Sequence, residues 1–166
     1  NNVALGNHAL HTNTTAANNT AVGYQSLYLN TTGASNVAVG ALALDANTTA
    51  ANNTAVGYAS LSANTTGASN TAVGSLAGDA LTTATELSAF GFDAGGGVTT
   101  GVGNTMLGSR AGNYSTSVTT GAYNTIVGSY SKTSAAGSTN QIVLGHNVTG
   151  NADSSLCFGT AATDSA

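Results

Sequence analysis

His8 and His11 stand three residues apart, a spacing that can bring two imidazoles to one metal ion. No carboxylate or cysteine lies near them in sequence, and structural metal sites use three or four protein ligands. His146 replaces a turn residue and reads as exposed. Cys157 is the sole cysteine, so no internal disulfide can form. It stands where other copies of a repeat carry a small apolar residue, which points to a packed thiol rather than a nucleophile. Asp45 and Asp79 occupy the same point of the repeat two units apart and read as exposed turn residues. The glycine-rich stretch DAGGGVTTGVGN, residues 93–104, lacks both the GxGxxG and the GxxxxGK[ST] order and reads as a flexible or bulged turn. The serines belong to turns. No triad, carboxylate pair or activated nucleophile results, so the expectation is a protein that is not an enzyme and uses no cofactor or metal.

What would position any functional side chain is a repeat. The phrase NTAVG or a close variant ends at Gly6, Gly23, Gly40, Gly57, Gly74, Gly91, Gly108, Gly128, Gly145 and Gly159. The step is seventeen residues, except for twenty into Gly128 and fourteen into Gly159. A fixed period of this size is the signature of stacked repeats.

The phrase predicts a strand. The residue before each glycine is large and apolar, as in Val22, Val39 and Phe90, and two residues earlier stand mainly β-branched residues such as Thr20, Val37 and Thr54. Those two positions share one face of a strand, and the residue between them takes the other. That middle row, Ala4, Ala21, Ala38, Ala55, Ala72 and Ala89, is small and level, and would let the backbone of another chain approach closely. A second short strand carrying Leu10, Leu27, Leu44 and Leu61 is expected after each glycine, followed by a turn through NTTA or NTTG. Two strands and two turns per unit predict an all-β fold, a β-solenoid of about ten 17-residue coils. The asparagines heading the phrase, Asn19, Asn36 and Asn53 among them, are expected to stack as an amide ladder. The whole chain, 1–166, reads as one repeat domain cut from something longer, regular over 1–108 and less so over 109–166. The three residues inserted between Gly108 and Gly128, in a stretch including TTGAYN, are expected to loop outward.

Charge excludes some partners. Only 5% of the chain is charged, against roughly a quarter in ordinary domains, and Arg110 and Lys132 are the only Arg and Lys residues. No patch could neutralise several phosphates, so nucleic acid is not an expected partner. No apolar run reaches the roughly 20 residues of a membrane helix, so no membrane contact is expected of this segment. Eight Asn-x-Ser/Thr sequons, at Asn13, Asn18, Asn30, Asn47, Asn52, Asn64, Asn113 and Asn147, arise naturally in an Asn/Thr-rich repeat. Tyr24, Tyr28 and Tyr58 are aromatic faces on which a glycan could stack.

NTAVG followed by Ala and Leu resembles the head repeats of the YadA-like trimeric autotransporter adhesins. The NTTG and NTAVGYQSL variants are also similar to repeat arrays in viral and phage tail fibres. The segment NQIVLGHNVTGNADSSLCFG, residues 140–159, resembles the stretch that precedes an intramolecular chaperone in such fibres. The resemblance implies a left-handed parallel β-roll and a homotrimer meeting along the Ala row. It also implies a fibre segment at the virion surface or outside the cell that projects, or itself forms, a surface for a host receptor or glycan. The period departs from the adhesins' shorter unit. A self-assembling extracellular filament is the alternative. An ice-binding solenoid is a third reading, weakened because the Thr-Thr pairs offer one outward rank where a Thr-x-Thr face offers two.

Overall fold

The computed structural model describes residues 1–159. Each NTAVG phrase places its Thr-Ala-Val portion in a three-residue strand: β1 (Val3–Leu5), β2 (Thr20–Val22), β3 (Val37–Val39), β4 (Thr54–Val56), β5 (Thr71–Val73), β6 (Ser88–Phe90) and β7 (Thr105–Leu107). Two further strands, β8 (Asn113–Tyr114) and β9 (Thr116–Ser117), form an antiparallel hairpin, and β10 (Thr125–Val127), β11 (Ile142–Leu144) and β12 (Leu156–Phe158) complete the series. Ten of the strands form one parallel sheet in chain order, and the coils that join them make a β-solenoid of about nine turns. Equivalent residues pair throughout, Thr20 with Val37, Val37 with Thr54 and Thr105 with Thr125, so the three-residue insertion does not disturb the register. Nine steps of ~4.8 Å give a stack about 43 Å long.

The glycine closing each strand fixes the stacking distance. Gly40 and Gly57 have φ of 140° and 134°, a region that L side chains rarely adopt. A Cβ on Gly40 would lie 2.3 Å from the carbonyl oxygen of Gly57, and one on Gly57 would lie 2.5 Å from that of Gly74. Backbone therefore rests directly on backbone at this corner, which no other residue permits.

Among the described residues no second strand of the stacked sheet follows the glycine. The chain instead makes turns in which the second and fourth residues are left-handed: Gln25 (φ 54°) and Leu27 (φ 50°), then Leu42 (φ 60°) and Leu44 (φ 52°). The alternation aims successive N–H groups along the stack in opposite directions. Gln25 donates to the carbonyl of Asn7 in the coil before, at 3.0 Å, and Leu27 to that of Ala43 in the coil after, also at 3.0 Å. The hydrogen bonds expected of a strand are made, without the extended backbone. The same geometry swings Leu27, Leu44 and Leu61 into the coil, where all three are fully buried.

These leucines face the alanines of the strands. Ala21, Ala38, Ala55, Ala72 and Ala89 are completely buried inside a single chain. The Ala row is therefore the inner wall of the coil, and a partner chain cannot meet along it. Ala4 alone is exposed, because the first coil has a neighbour on one side only. The interior is too narrow for a large residue from both walls.

Polar ladders fill what remains. Oδ1 of Asn36 accepts the N–H of Asn53 at 2.9 Å while its Nδ2 donates to the carbonyl of Ala50 at 2.8 Å, and Asn19, Asn53 and Asn70 repeat the arrangement. The expected ladder thus runs mainly from side chain to backbone. Direct amide-to-amide stacking occurs at a second row, where Nδ2 of Asn47 donates to Oδ1 of Asn30 at 2.8 Å and Nδ2 of Asn64 to Oδ1 of Asn47 at 3.2 Å. Asn30, Asn47 and Asn64 are fully buried, so these three sequons cannot carry a glycan in the folded coil.

From Gly78 onward the core is built differently. Gly78, Gly95 and Gly112 take the left-handed position of the leucines, and Leu81, Val98 and Val118 take the place of the second asparagine row. Leu87 replaces a heading asparagine, and a Cβ on Gly78 would lie 2.9 Å from Cδ2 of Leu61 and 3.1 Å from Cδ2 of Leu87. Apolar volume has moved from one wall to the others. Residues 93–104 consequently form an ordinary coil rather than a flexible or bulged turn, with Gly95 (φ 62°) standing where Leu61 (φ 53°) stands two coils earlier. The insertion is the β8–β9 hairpin at 113–117, while TTGAYN, 119–124, is regular coil.

Replacing Gly57 by Ala is expected to lower unfolding free energy by on the order of 3 kcal/mol, since it adds backbone strain and a clash at once. Thr49→Ala, on an exposed corner, should change it by less than about 0.5 kcal/mol in the same denaturant titration.

Candidate functional site

With the alanines turned inward, the first and third residues of each strand of the ten-stranded sheet point outward and form two in-register ranks along it. One runs Val3, Thr20, Val37, Thr54 and onward to Leu156, the other Leu5, Val22, Val39, Val56 and onward to Phe158. No residue in either rank is charged. Nine of the large exposed apolar side chains of the protein lie here, including Leu5, Phe90, Leu107 and Phe158. The face is about 7 Å across between ranks and ~43 Å long, roughly 300 Å² before side-chain width is added. The face is uncharged but mixed: Thr20, Thr54, Thr71, Ser88, Thr105 and Thr125 hold most of the first rank, and the second is apolar throughout.

A third rank flanks the sheet. Tyr24, Tyr58 and Phe92 each follow the stacked glycine of their coil and are 50%, 54% and 46% exposed. The coils between carry Ala41 and Ser75 at that position. Arg110 of the following coil places its guanidinium 5.7 Å from the centre of the Phe92 ring and pairs with Asp93 at 3.5 Å. Phe92 belongs with the two tyrosines, and its place two coils after Tyr58 was available in the spacing. Tyr28 does not join them. Its half-buried ring stacks on His11 at 5.3 Å and meets His8 edge-on at 6.0 Å, while His8 and His11 are 5.0 Å apart. This packed aromatic cluster is what the HxxH spacing builds. Among the described residues no group of three His, Cys, Asp or Glu side chains gathers around one point.

The Thr-Thr corner uses its two residues differently. The hydroxyl of Thr31 donates to the carbonyl of Thr48 at 3.0 Å, and Thr48, Thr65 and Thr82 continue the pattern. The second threonines, Thr32, Thr49, Thr66 and Thr83, form a single exposed rank. After the insertion the row continues at Thr119, which accepts from the hydroxyl of Thr99 at 3.1 Å, so Thr116 and Ser117 stand outside it in the hairpin.

Asp45 and Asp79 are half-buried rather than exposed, and burial raises the pKa of both above the usual aspartate value. Their own and the next residue's N–H groups oppose the shift, and the charge of Asp93 adds to it at Asp79. Oδ1 of Asp45 is buried without a hydrogen-bond partner. Cys157 is buried at the inward position of β12.

Comparison with protein-family models, with curated proteins and with solved structures finds no match.

A carboxyl whose pKa is raised on folding binds its proton more tightly in the native state, so it costs stability at neutral pH and the cost fades as pH falls. Asp45→Asn is therefore expected to raise the thermal midpoint at pH 7, with the gain vanishing near pH ~3, below the ordinary aspartate value. Thermal melts of both chains across that range measure it.

Proposed function

We propose that this chain is a segment of a structural and adhesive fibre in which three copies lie side by side, parallel, with their two-rank sheet faces turned to a common axis. The observation that carries the reading is the outward face itself: uncharged, in register and uninterrupted over ten strands. A face whose side chains repeat once per coil is matched best by another face of the same period, and the nearest such surface is a second copy of this chain. Closed rings of identical subunits are the usual outcome of such contacts. The number three comes from the resemblance to the adhesin heads and tail fibres.

The rest of the molecule supports the same reading. Each coil is locked to the next by backbone hydrogen bonds on the strand, the left-handed turn and the Thr-Thr corner. Such a stack adds length without adding a new fold, and suits a part that holds a binding surface away from a virion or cell. Such a fibre is at home outside the cell or on a virion. The ligand of its outer surface would be a host receptor or a glycan.

Light scattering is expected to give three times the 16.0 kDa of one chain. Val39→Asp or Val56→Asp, each burying a charge on the axis, should reduce that to one while leaving the coil folded, because both side chains point away from its core. A folded parent chain that stays monomeric at high concentration contradicts the assembly.

A further inference from the structure

The aromatic rank beside the sheet has a spacing that selects a ligand class. Tyr24, Tyr58 and Phe92 are separated by two coils each, and the strand pairing between them keeps their positions in register. The three residues therefore recur about 9.6 Å apart along the stack, at ~4.8 Å per coil. Ala41 and Ser75 leave open gaps between them, so the rank is a row of separate platforms rather than a packed aromatic ladder. Each ring is half exposed; those of Tyr24 and Tyr58 offer apolar surface directly, while Phe92 shares its ring with the Arg110 guanidinium 5.7 Å from its centre.

A ligand matching this row is extended, presents an apolar face at regular intervals and needs no countercharge. A β-1,4-linked polysaccharide has those properties. Successive sugars turn over by about half a rotation along the chain, so the same ring face recurs once per disaccharide, close to the rise of two coils. An α-1,4-linked glucan curves and presents no such row. Beside the rank Arg110 is already paired with Asp93, and Asp79 adds a further carboxylate close enough to feel the charge of Asp93, which disfavours an anionic polymer and leaves a neutral one.

The geometry points to one chain of a neutral β-1,4-linked polysaccharide, cellulose-like or chitin-like, lying along the stack with Tyr24, Tyr58 and Phe92 stacked on every second sugar. This names the ligand of the adhesive surface and rests on the fibre reading for its biological setting, although the rank itself is complete in one chain.

Depletion of the protein from solution by microcrystalline cellulose and by crystalline chitin tests it, with insoluble amylose as the control for linkage geometry. Retention on at least one of the β-1,4 polymers and not on amylose is expected. Tyr58→Ala should weaken that retention roughly tenfold, as loss of a central aromatic anchor does. Tyr28→Ala, which removes the ring stacked on His11, should leave it unchanged. No retention on either polymer, equal retention on amylose, or a Tyr58→Ala chain held as tightly as the parent overturns the inference. Light scattering on the same samples separates the two readings: a trimer that ignores both polymers refutes the ligand and leaves the fibre, while a monomer that binds them refutes the fibre and leaves the ligand.

Discussion

The glycine-on-glycine contact at the end of each strand is the constraint on which the structure depends. A Cβ there would meet the next coil's carbonyl oxygen at 2.3–2.7 Å over most of the stack, and the φ of these glycines, between 126° and 149°, is itself closed to other residues in practice. One corner of every coil is thus held at backbone contact distance from the next. With that corner fixed, each strand pairs with its equivalent, the ranks stay in register, and side chains 17 residues apart become neighbours. The polar ladders follow from the same register. Each heading asparagine accepts one hydrogen bond from the next coil and donates one across its own, so four buried amides in a row are satisfied.

Within this frame the interior is conserved by volume rather than by residue. Coils with Leu27, Leu44 or Leu61 on the left-handed turn carry Asn30, Asn47 or Asn64 three residues later, and coils with Gly78, Gly95 or Gly112 carry Leu81, Val98 or Val118. A leucine at the turn pays a left-handed φ for its place, and glycine removes that strain while its neighbours refill the space. Met106 and Ile126 replace the wall alanine in the later coils, again fully buried.

Much of this was legible in the sequence. The period, the strand and the stacking glycine follow from NTAVG alone, because only backbone contact repeated every coil demands a glycine at one fixed position. The inward face of the strand was not legible. Both faces are apolar, and small alanines suit close approach of a partner as well as they suit a narrow core. What decides is Leu44 and its equivalents, which enter the coil through a left-handed backbone that propensity disfavours and so leave room only for alanine opposite. The same local geometry hid the absence of a second strand. The site of the insertion was hidden too, because the Thr-Thr pair at 119–120 resembles added residues until the hydroxyl of Thr99 is seen to bond to it. Phe92 escaped notice beside Tyr24 and Tyr58 because its chemistry differs while its position does not.

The account turns on which side of the strand is core and which is surface, and thiol labelling reads that directly. In a Cys157→Ser background, Ala38→Cys and Val39→Cys place a thiol at adjacent positions of β3, one fully buried and one 36% exposed in the single chain. The thiol introduced at position 38 should stay unreactive to a maleimide until the protein is unfolded. The thiol introduced at position 39 should react in the dissociated chain and become protected on assembly. Rapid labelling at position 38 in the native chain would contradict the account.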